Sequence, residues 1–276
     1  MSANLITAEL SQAQFERISL LVYRLSGIKM QSGKEGLIKS RLMKRLRALD
    51  IDSFDTYLSY LERDKTGQEL TTMIDVLTTN KTSFFRESQH FDFLRENVLP
   101  TWRVEKRRIR IWSAGCSSGE EPYSIAIVLR EELPDTDIRD TRILATDIST
   151  RVLETASQAE YRQEILGDIT PQVLQKYFTL VGPQSPRTYR VNEAVRAMVR
   201  LARLNLMGDW PMRGPFDVIF CRNVMIYFDK PTQQNLVRRF GQLLGPGGCL
   251  FVGHSESLTA SSHDFRYVQP AVYMKY

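Results

Sequence analysis

Two adjacent acids, Glu120 and Glu121, sit where a glycine-rich turn enters a helix, in the run Arg-Ile-Trp-Ser-Ala-Gly-Cys-Ser-Ser-Gly-Glu-Glu-Pro-Tyr-Ser over residues 110–124. Ile109 and Ile111 are β-branched strand formers and Gly115 and Gly119 permit a sharp turn. Pro122 suits the first turn of a helix carrying Ile125, Ile127, Val128 and Leu129. The Gly-x-x-x-Gly spacing does not meet the dinucleotide fingerprint, and no Gly-Lys-Ser/Thr is present to hold a triphosphate. A pyrophosphate favours the positive end of a helix with no carboxylate competing for it, so two acids there suit a ligand that carries positive charge. In an ordinary strand-to-helix turn the same acids would only stabilise the helix dipole.

Ligands of an open α/β sheet lie outside the carboxyl ends of its strands, so the residue following each strand matters next. Asp147, in Leu-Ala-Thr-Asp-Ile-Ser, is placed to accept hydrogen bonds from a ribose diol or to cap the helix that follows. In the run Arg-Leu-Asn-Leu over 203–206, Asn205 can face an adenine edge. Arg222 and Asn223 emerge from a buried strand in Phe-Asp-Val-Ile-Phe-Cys-Arg-Asn-Val-Met-Ile-Tyr-Phe, residues 216–228, with Tyr227 about one helical turn on. That spacing suits a cleft wall; an arginine snorkelling from a strand end beside a half-buried tyrosine has the same pattern. S-adenosylmethionine, with its sulfonium and ammonium groups, is a ligand of the charge these acids favour.

The elements that must position these residues fall into two kinds. Strand-like runs at 108–113, 142–147, 216–222 and 249–253 alternate with helical ones, which predicts a doubly wound, mostly parallel α/β sheet of Rossmann-like type. A helical patch at 171–178 and an extended 188–191 predict a small lobe inserted at about 158–200. Residues 1–78 read as an all-helical N-terminal domain, 79–100 as a linker and 101–276 as the α/β domain. In the first, Ser11 and Gln14 resemble a capping box, Phe15, Ile18, Leu21, Val22 and Leu25 recur at helical spacing, and Gly27 offers a stop. A second helix carries Leu37, Ile38, Leu42, Leu46 and Leu49, and further helical patterns follow at 54–61 and 70–77.

Charge is localised. Residues 34–47 contain six basic residues and one acid, which equals the whole excess of +5. On a helical wheel Lys34, Arg41, Lys44 and Arg45 fall within an arc of about 100°, one basic face. Such a face fits an acidic protein, a nucleic acid, or plain solvation. Hydrophobic residues at 42% and charged residues at 25% permit a sizeable core. Cys116, Cys221 and Cys249 lack C-x-x-C spacing, and His90, His254 and His263 are scattered, so neither a disulfide framework nor a metal site is expected. No apolar run approaches the roughly 18 residues that span a bilayer, and Met-Ser-Ala-Asn-Leu does not resemble a signal peptide, so a cytoplasmic location is expected.

Asn80-Lys-Thr-Ser-Phe-Phe-Arg86, Ala-Gly-Cys-Ser-Ser-Gly-Glu-Glu-Pro-Tyr-Ser, Phe-Cys-Arg-Asn-Val-Met-Ile-Tyr-Phe and Gly-His-Ser-Glu-Ser occur here in one chain. Together they resemble the bacterial chemotaxis receptor methyltransferases, CheR, in the same order and over nearly the whole length. The resemblance implies a class I methyltransferase domain and S-adenosylmethionine binding through Asn80, Thr82, Arg86, Glu121, Asp147, Asn205, Leu206, Arg222 and Asn223. The residues alone do not choose between Glu120 and Glu121; the family pattern favours the second. It further implies an enzyme, a protein-glutamate O-methyltransferase that makes glutamyl methyl esters and S-adenosylhomocysteine. Arg86, Arg222 and Tyr227 would orient cofactor and carboxylate. Lys34, Arg41, Lys44, Arg45 and Arg47 would dock the cytoplasmic helical region of methyl-accepting receptors, with no nucleic acid and no membrane insertion. In some members the inserted lobe takes a receptor's C-terminal peptide.

Overall fold

The computed structural model describes residues 8–105, 108–134, 140–182, 186–258 and 264–276. The N-terminal stretch 1–7 and His263, both read above, lie outside the described residues. The helical domain comprises α1 (Gln12–Ser26), α2 (Glu35–Ala48), α3 (Phe54–Arg63) and α4 (Gln68–Leu77). At α1 the capping box is complete: the Gln14 N–H donates to Ser11 Oγ at 3.2 Å, and the Ser11 N–H donates to the Gln14 side chain at 2.9 Å. Gly27 ends the helix in the left-handed region, with φ at 72°. Ile18, Leu42, Leu46, Tyr57 and Met73 form this domain's own core, each less than 1% exposed.

The stretch from 79 to 100 is more than a connector. From Gln89 it is helical, through α5 (Gln89–Phe93), a π-helical turn (Leu94–Val98) and α6 (Leu99–Glu105). Phe84, Phe91, Leu94 and Leu99 are buried in the core of the sheet domain.

That sheet has seven strands in the order β6-β2-β1-β7-β8-β10-β9. β1 (Ile109–Ala114), β2 (Thr141–Asp147), β6 (Val199–Arg203), β7 (Phe216–Cys221) and β8 (Leu244–Val252) run parallel, while β10 (Val272–Lys275) pairs antiparallel with β8 and with β9 (Phe265–Gln269). The sequence reading missed β6 and took the strand at 249–253 as the last, whereas the β9–β10 hairpin follows it. β1 is covered on both faces. Ile109 and Ile111 point into one cluster of buried residues, and Trp112 and Ala114 into the other, as the period of two requires. The helices covering the sheet are α7 (Glu120–Glu132), α8 (Thr150–Gln158) and, after the insertion, α11 (Lys230–Leu243).

The insertion is an antiparallel sheet, β3 (Glu160–Arg162), β5 (Thr188–Val191) and β4 (Phe178–Val181), with α9 (Pro171–Tyr177) packed beside it. The helical turn α10 (Glu193–Arg196) leads back to β6. From β1 the chain moves outward through β2 to β6, then returns to the other side of β1 as β7. The strand order therefore reverses between β1 and β7, and a ligand crevice belongs at their carboxyl ends.

Candidate active site

A cavity of about 390 Å³ lies at that reversal, between the carboxyl end of the sheet and the helical domain. The turn after β1 forms its floor. Gly115 has φ of 89°, and a Cβ there would stand 2.4 Å from a methyl of Val224. Gly119, the N-cap of α7 with φ of 100°, is equally confined: a Cβ would meet the Tyr161 hydroxyl of the inserted lobe at 2.8 Å. Both positions thus need glycine for backbone angle and for space. The residue that follows this turn settles the pair of acids. Glu121 lines the cavity, whereas Glu120 turns aside, 3% exposed, and accepts from Ser118 Oγ at 2.7 Å.

Asp147 ends β2 and lines the cavity at 8% exposure. Its carboxylate accepts from two backbone amides, Ser117 N–H at 2.9 Å and Ser149 N–H at 3.0 Å. It therefore pins the β1 turn and the entry to α8, while each oxygen keeps a lone pair for a ligand. The cap of α8 itself is Ser149, whose Oγ accepts from Val152 N–H. Burial raises the Asp147 carboxyl above its ordinary value, against the lowering effect of the amides.

Arg222 follows β7 directly and has a side chain only 2% exposed. Its Nη1 donates to Glu121 Oε2 at 3.1 Å, its Nη2 and Nε to Glu87 Oε2 at 3.1 and 3.3 Å, and Nη2 also to the Arg86 carbonyl. Glu121 further accepts from Ser113 Oγ at 2.7 Å. Burial raises the Glu121 carboxyl, with Arg222 opposing it; at Glu87 burial acts the same way but Arg222 prevails and holds that carboxyl below its usual range. Arg222, expected with Arg86 and Tyr227 to orient cofactor and carboxylate, lines the cavity. Its hydrogen bonds run to Glu87, Glu121 and the Arg86 carbonyl, so it positions Glu121.

Asn223, at φ of 59°, also lines the cavity. Its N–H donates to Glu256 Oε2 at 2.9 Å, and the same carboxylate accepts from Ile226 N–H at 3.0 Å and Gly253 N–H at 2.5 Å. Glu256 thereby shapes the turn that presents Tyr227. Burial raises the Tyr227 phenol, opposed by Arg86 and Arg41, so the hydroxyl keeps its proton and donates to the Thr79 carbonyl at 3.3 Å. Asn80, Thr82 and Arg86 reach the cavity from the segment that straps over the floor, where Ser117 Oγ donates to the Asn80 carbonyl at 3.1 Å. Arg86 Nη1 donates to the Lys81 carbonyl at 2.8 Å.

Asn205 and Leu206 complete the wall. The Asn205 side chain does not point free at an adenine edge: Nδ2 donates to the Leu25 carbonyl at 2.5 Å and Oδ1 accepts from Met207 N–H at 3.0 Å. It ties the helical domain to the sheet. Tyr23, donating to Asp229 at 2.7 Å, and Thr150, donating through Oγ1 to Asp75 at 2.6 Å, do the same at other points.

The basic face of α2 is only partly free. Arg45 makes a two-point pair with buried Glu69, at 2.9 and 2.7 Å, and Arg41 donates to the Leu77 and Thr78 carbonyls at 2.6 and 3.1 Å and lines the cavity. Both guanidiniums are hydrogen-bonded within the chain, so the face expected to dock a partner is already partly engaged. Lys34, Lys44 and Arg47 stay exposed. Two of the scattered histidines also meet: His90 and His254 have ring centroids 5.1 Å apart, and with Glu87 they bring ligand-type atoms within 4.8 Å of one another. Arg222, bonded to that glutamate, stands against a cation there.

Residues 13–78 match the family described as CheR methyltransferase, all-alpha domain, and residues 80–274 match CheR methyltransferase, SAM binding domain. The chain belongs to the CheR methyltransferase family. The chemotaxis protein methyltransferase of Klebsiella aerogenes is 44% identical over 265 residues, covering 96% of this chain and 90% of that protein. That of Escherichia coli is 43% identical over 265 residues, covering 96% and 91%. Chemotaxis protein methyltransferase 2 of Pseudomonas aeruginosa is 44% identical over 267 residues, covering 95% and 93%. This CheR methyltransferase is an S-adenosylmethionine-dependent enzyme. The cavity suits that cofactor: two largely buried carboxylates, Asp147 and Glu121, are raised by desolvation and gain from a diol and an ammonium. No described helix is long and apolar enough to cross a membrane.

Glu87 and Glu256 were not singled out from the sequence. Glu256 stands beyond the Gly253–Ser255 turn that follows β8, outside the position the strand-end rule inspects, and Glu87 adjoins the recognised Arg86.

Proposed function

We propose that this methyltransferase esterifies side-chain carboxylates of specific glutamates on chemotaxis receptors in the cytoplasm, releasing S-adenosylhomocysteine. The observation that carries the reading is the convergence of Asn80, Thr82, Arg86, Glu121, Asp147, Asn205, Leu206, Arg222 and Asn223 on one cavity at the strand reversal. Glu121 holds the ammonium, Asp147 the ribose diol, and the Asn205–Leu206 wall the adenine. When bound, S-adenosylmethionine supplies an electrophilic methyl on a sulfonium.

The protein has little proton chemistry to perform. A glutamate with a pKa of about 4.3 arrives ionised, so no general base is needed, and the methyl moves to the carboxylate oxygen while the bonding pair stays on sulfur. Alignment is what the site contributes, and holding an oxygen about 3–3.5 Å from the methyl carbon is worth several kcal/mol of barrier. Tyr227 stays protonated and with Arg86 is disposed to receive the substrate carboxylate at the cavity mouth. The exposed Lys34, Lys44 and Arg47 on α2 attract the acidic cytoplasmic helices of the receptor.

Receptor fragment labelled from cofactor with a tritiated methyl should lose its label as volatile methanol after brief alkali. Label that survives alkali would mean N-methylation and overturn the ester reading.

A further inference from the structure

The ion cluster past β7 carries an excess charge. Arg222 faces two carboxylates, Glu87 and Glu121. The neighbouring His90 adds nothing: it is fully buried, and its imidazole is driven down to about 3 by burial and by Arg222, so it is neutral near pH 7. One guanidinium against two carboxylates leaves one negative charge in a largely buried region. Only Glu121 of the two acids reaches the cavity. Glu87 stands behind Arg222, its Oε1 3.4 Å from Asn223 Nδ2 and from the His254 N–H.

S-adenosylmethionine and its product differ by one charge. The amino acid end of each is a zwitterion, and only the methyl donor adds a sulfonium. With Glu87 ionised the cluster and the donor together are neutral, whereas the cluster and the product are left at minus one. Take Glu87's charge away and the balance inverts, because Glu121 alone then neutralises Arg222.

We propose that Glu87 is a specificity-determining residue that neutralises Arg222 from behind, leaving the charge of Glu121 for the ligand and so biasing the site toward the cationic donor over the neutral product. The inference rests on the proposed placement of the cofactor with its ammonium at Glu121. Lys29, Lys34, Arg41, Lys81, Arg86 and Asp147 also line the cavity, but they are the same in every variant below and cancel in a ratio of affinities.

The test is calorimetry on the full chain with S-adenosylhomocysteine and with sinefungin, whose ammonium replaces the sulfonium methyl. Glu87→Gln should lower the ratio of sinefungin to S-adenosylhomocysteine affinity by about tenfold, while Glu87→Asp, which keeps the charge, should hold it within about threefold of wild type. Equal losses for both ligands, or an unchanged ratio, would reduce Glu87 to a structural role and overturn the proposal. Glu121→Gln makes the same one-charge change and must lower the ratio too; an unchanged ratio there overturns it even if Glu87→Gln does not fold. A wild-type protein that binds neither ligand would instead overturn the cofactor placement itself.

Discussion

The carboxyl ends of β2 and β7 flank β1 on either side and hold their charged residues in opposite ways. At the end of β2, both oxygens of Asp147 rest on backbone amides, those of Ser117 and Ser149. At the end of β7, Arg222 is held by the carboxylates of Glu87 and Glu121 and by the Arg86 carbonyl. Amides are dipoles fixed by the fold, so an acid seated on them is fixed in direction and serves as a shaped acceptor. A guanidinium between two acids sets a local charge, which any ligand then has to match. One end of the site is thus built for shape and the other for charge. Glu256 past β8 is of the first kind, since its carboxylate gathers the amides of Asn223, Ile226 and Gly253.

The largest effect should come from spoiling the shaped end. Asp147→Asn keeps size but turns an NH₂ toward one of two amide donors, leaving an N–H without an acceptor and removing the charge from the diol contact. Affinity for S-adenosylhomocysteine should fall about a hundredfold by calorimetry, with helical content by circular dichroism unchanged. Unchanged affinity in the folded variant would remove Asp147 from the cofactor site.

A smaller effect, but one with a pH signature, should follow at the charged end. Burial raises both Glu121 and Asp147 in the ligand-free protein, and the proposed cofactor placement needs both ionised. Each raised carboxyl keeps its proton to higher pH than it would in water, so ligand binding expels that proton, and affinity climbs as pH rises through the raised values. Glu121→Gln should cost about tenfold in affinity near neutral pH and reduce the acid-side proton release from about two toward one. Calorimetry in buffers of different ionisation enthalpy reads that number directly; an unaltered release would show that Glu121 is not the titrating acid.

Much of this arrangement was legible beforehand, for identifiable reasons. The capping box of α1, the glycine-rich turn and the acid after β2 are local signals, complete within a few residues, and each reappears in three dimensions. β6 and β9 escaped because edge strands show one half-polar face, as the exposure of Arg200, Ala202 and Arg203 shows, and lack a run of buried residues. Glu120 and Glu121 could not be separated until the helix phase was known, since consecutive residues point about 100° apart. The segment that carries Asn80, Thr82 and Arg86 has no periodicity to betray it, and family resemblance alone marked it. The intramolecular partners of Arg41 and Arg45 were hidden for the converse reason: a helical wheel locates a face but cannot tell what already occupies it.

That last point extends the contrast between spent and available charge to α2, where the smallest effect is expected. Arg45, 20% exposed in its side chain, is paired at two points with a glutamate 7% exposed, so reversing its charge would leave two buried carboxylates facing one another and would damage the domain before testing any docking role. Lys44 and Arg47 have no such obligation and project into solvent. If receptor docking draws on free charge, Lys44→Glu combined with Arg47→Glu should raise the KM for receptor fragment about threefold to tenfold while affinity for S-adenosylhomocysteine stays at the wild-type value. The wild-type KM should itself rise with salt, because exposed charges are screened over roughly 8–10 Å at moderate ionic strength, and the double variant should lose most of that salt dependence. A KM that is unchanged in the variant and still salt-sensitive would move the docking charge elsewhere on the surface.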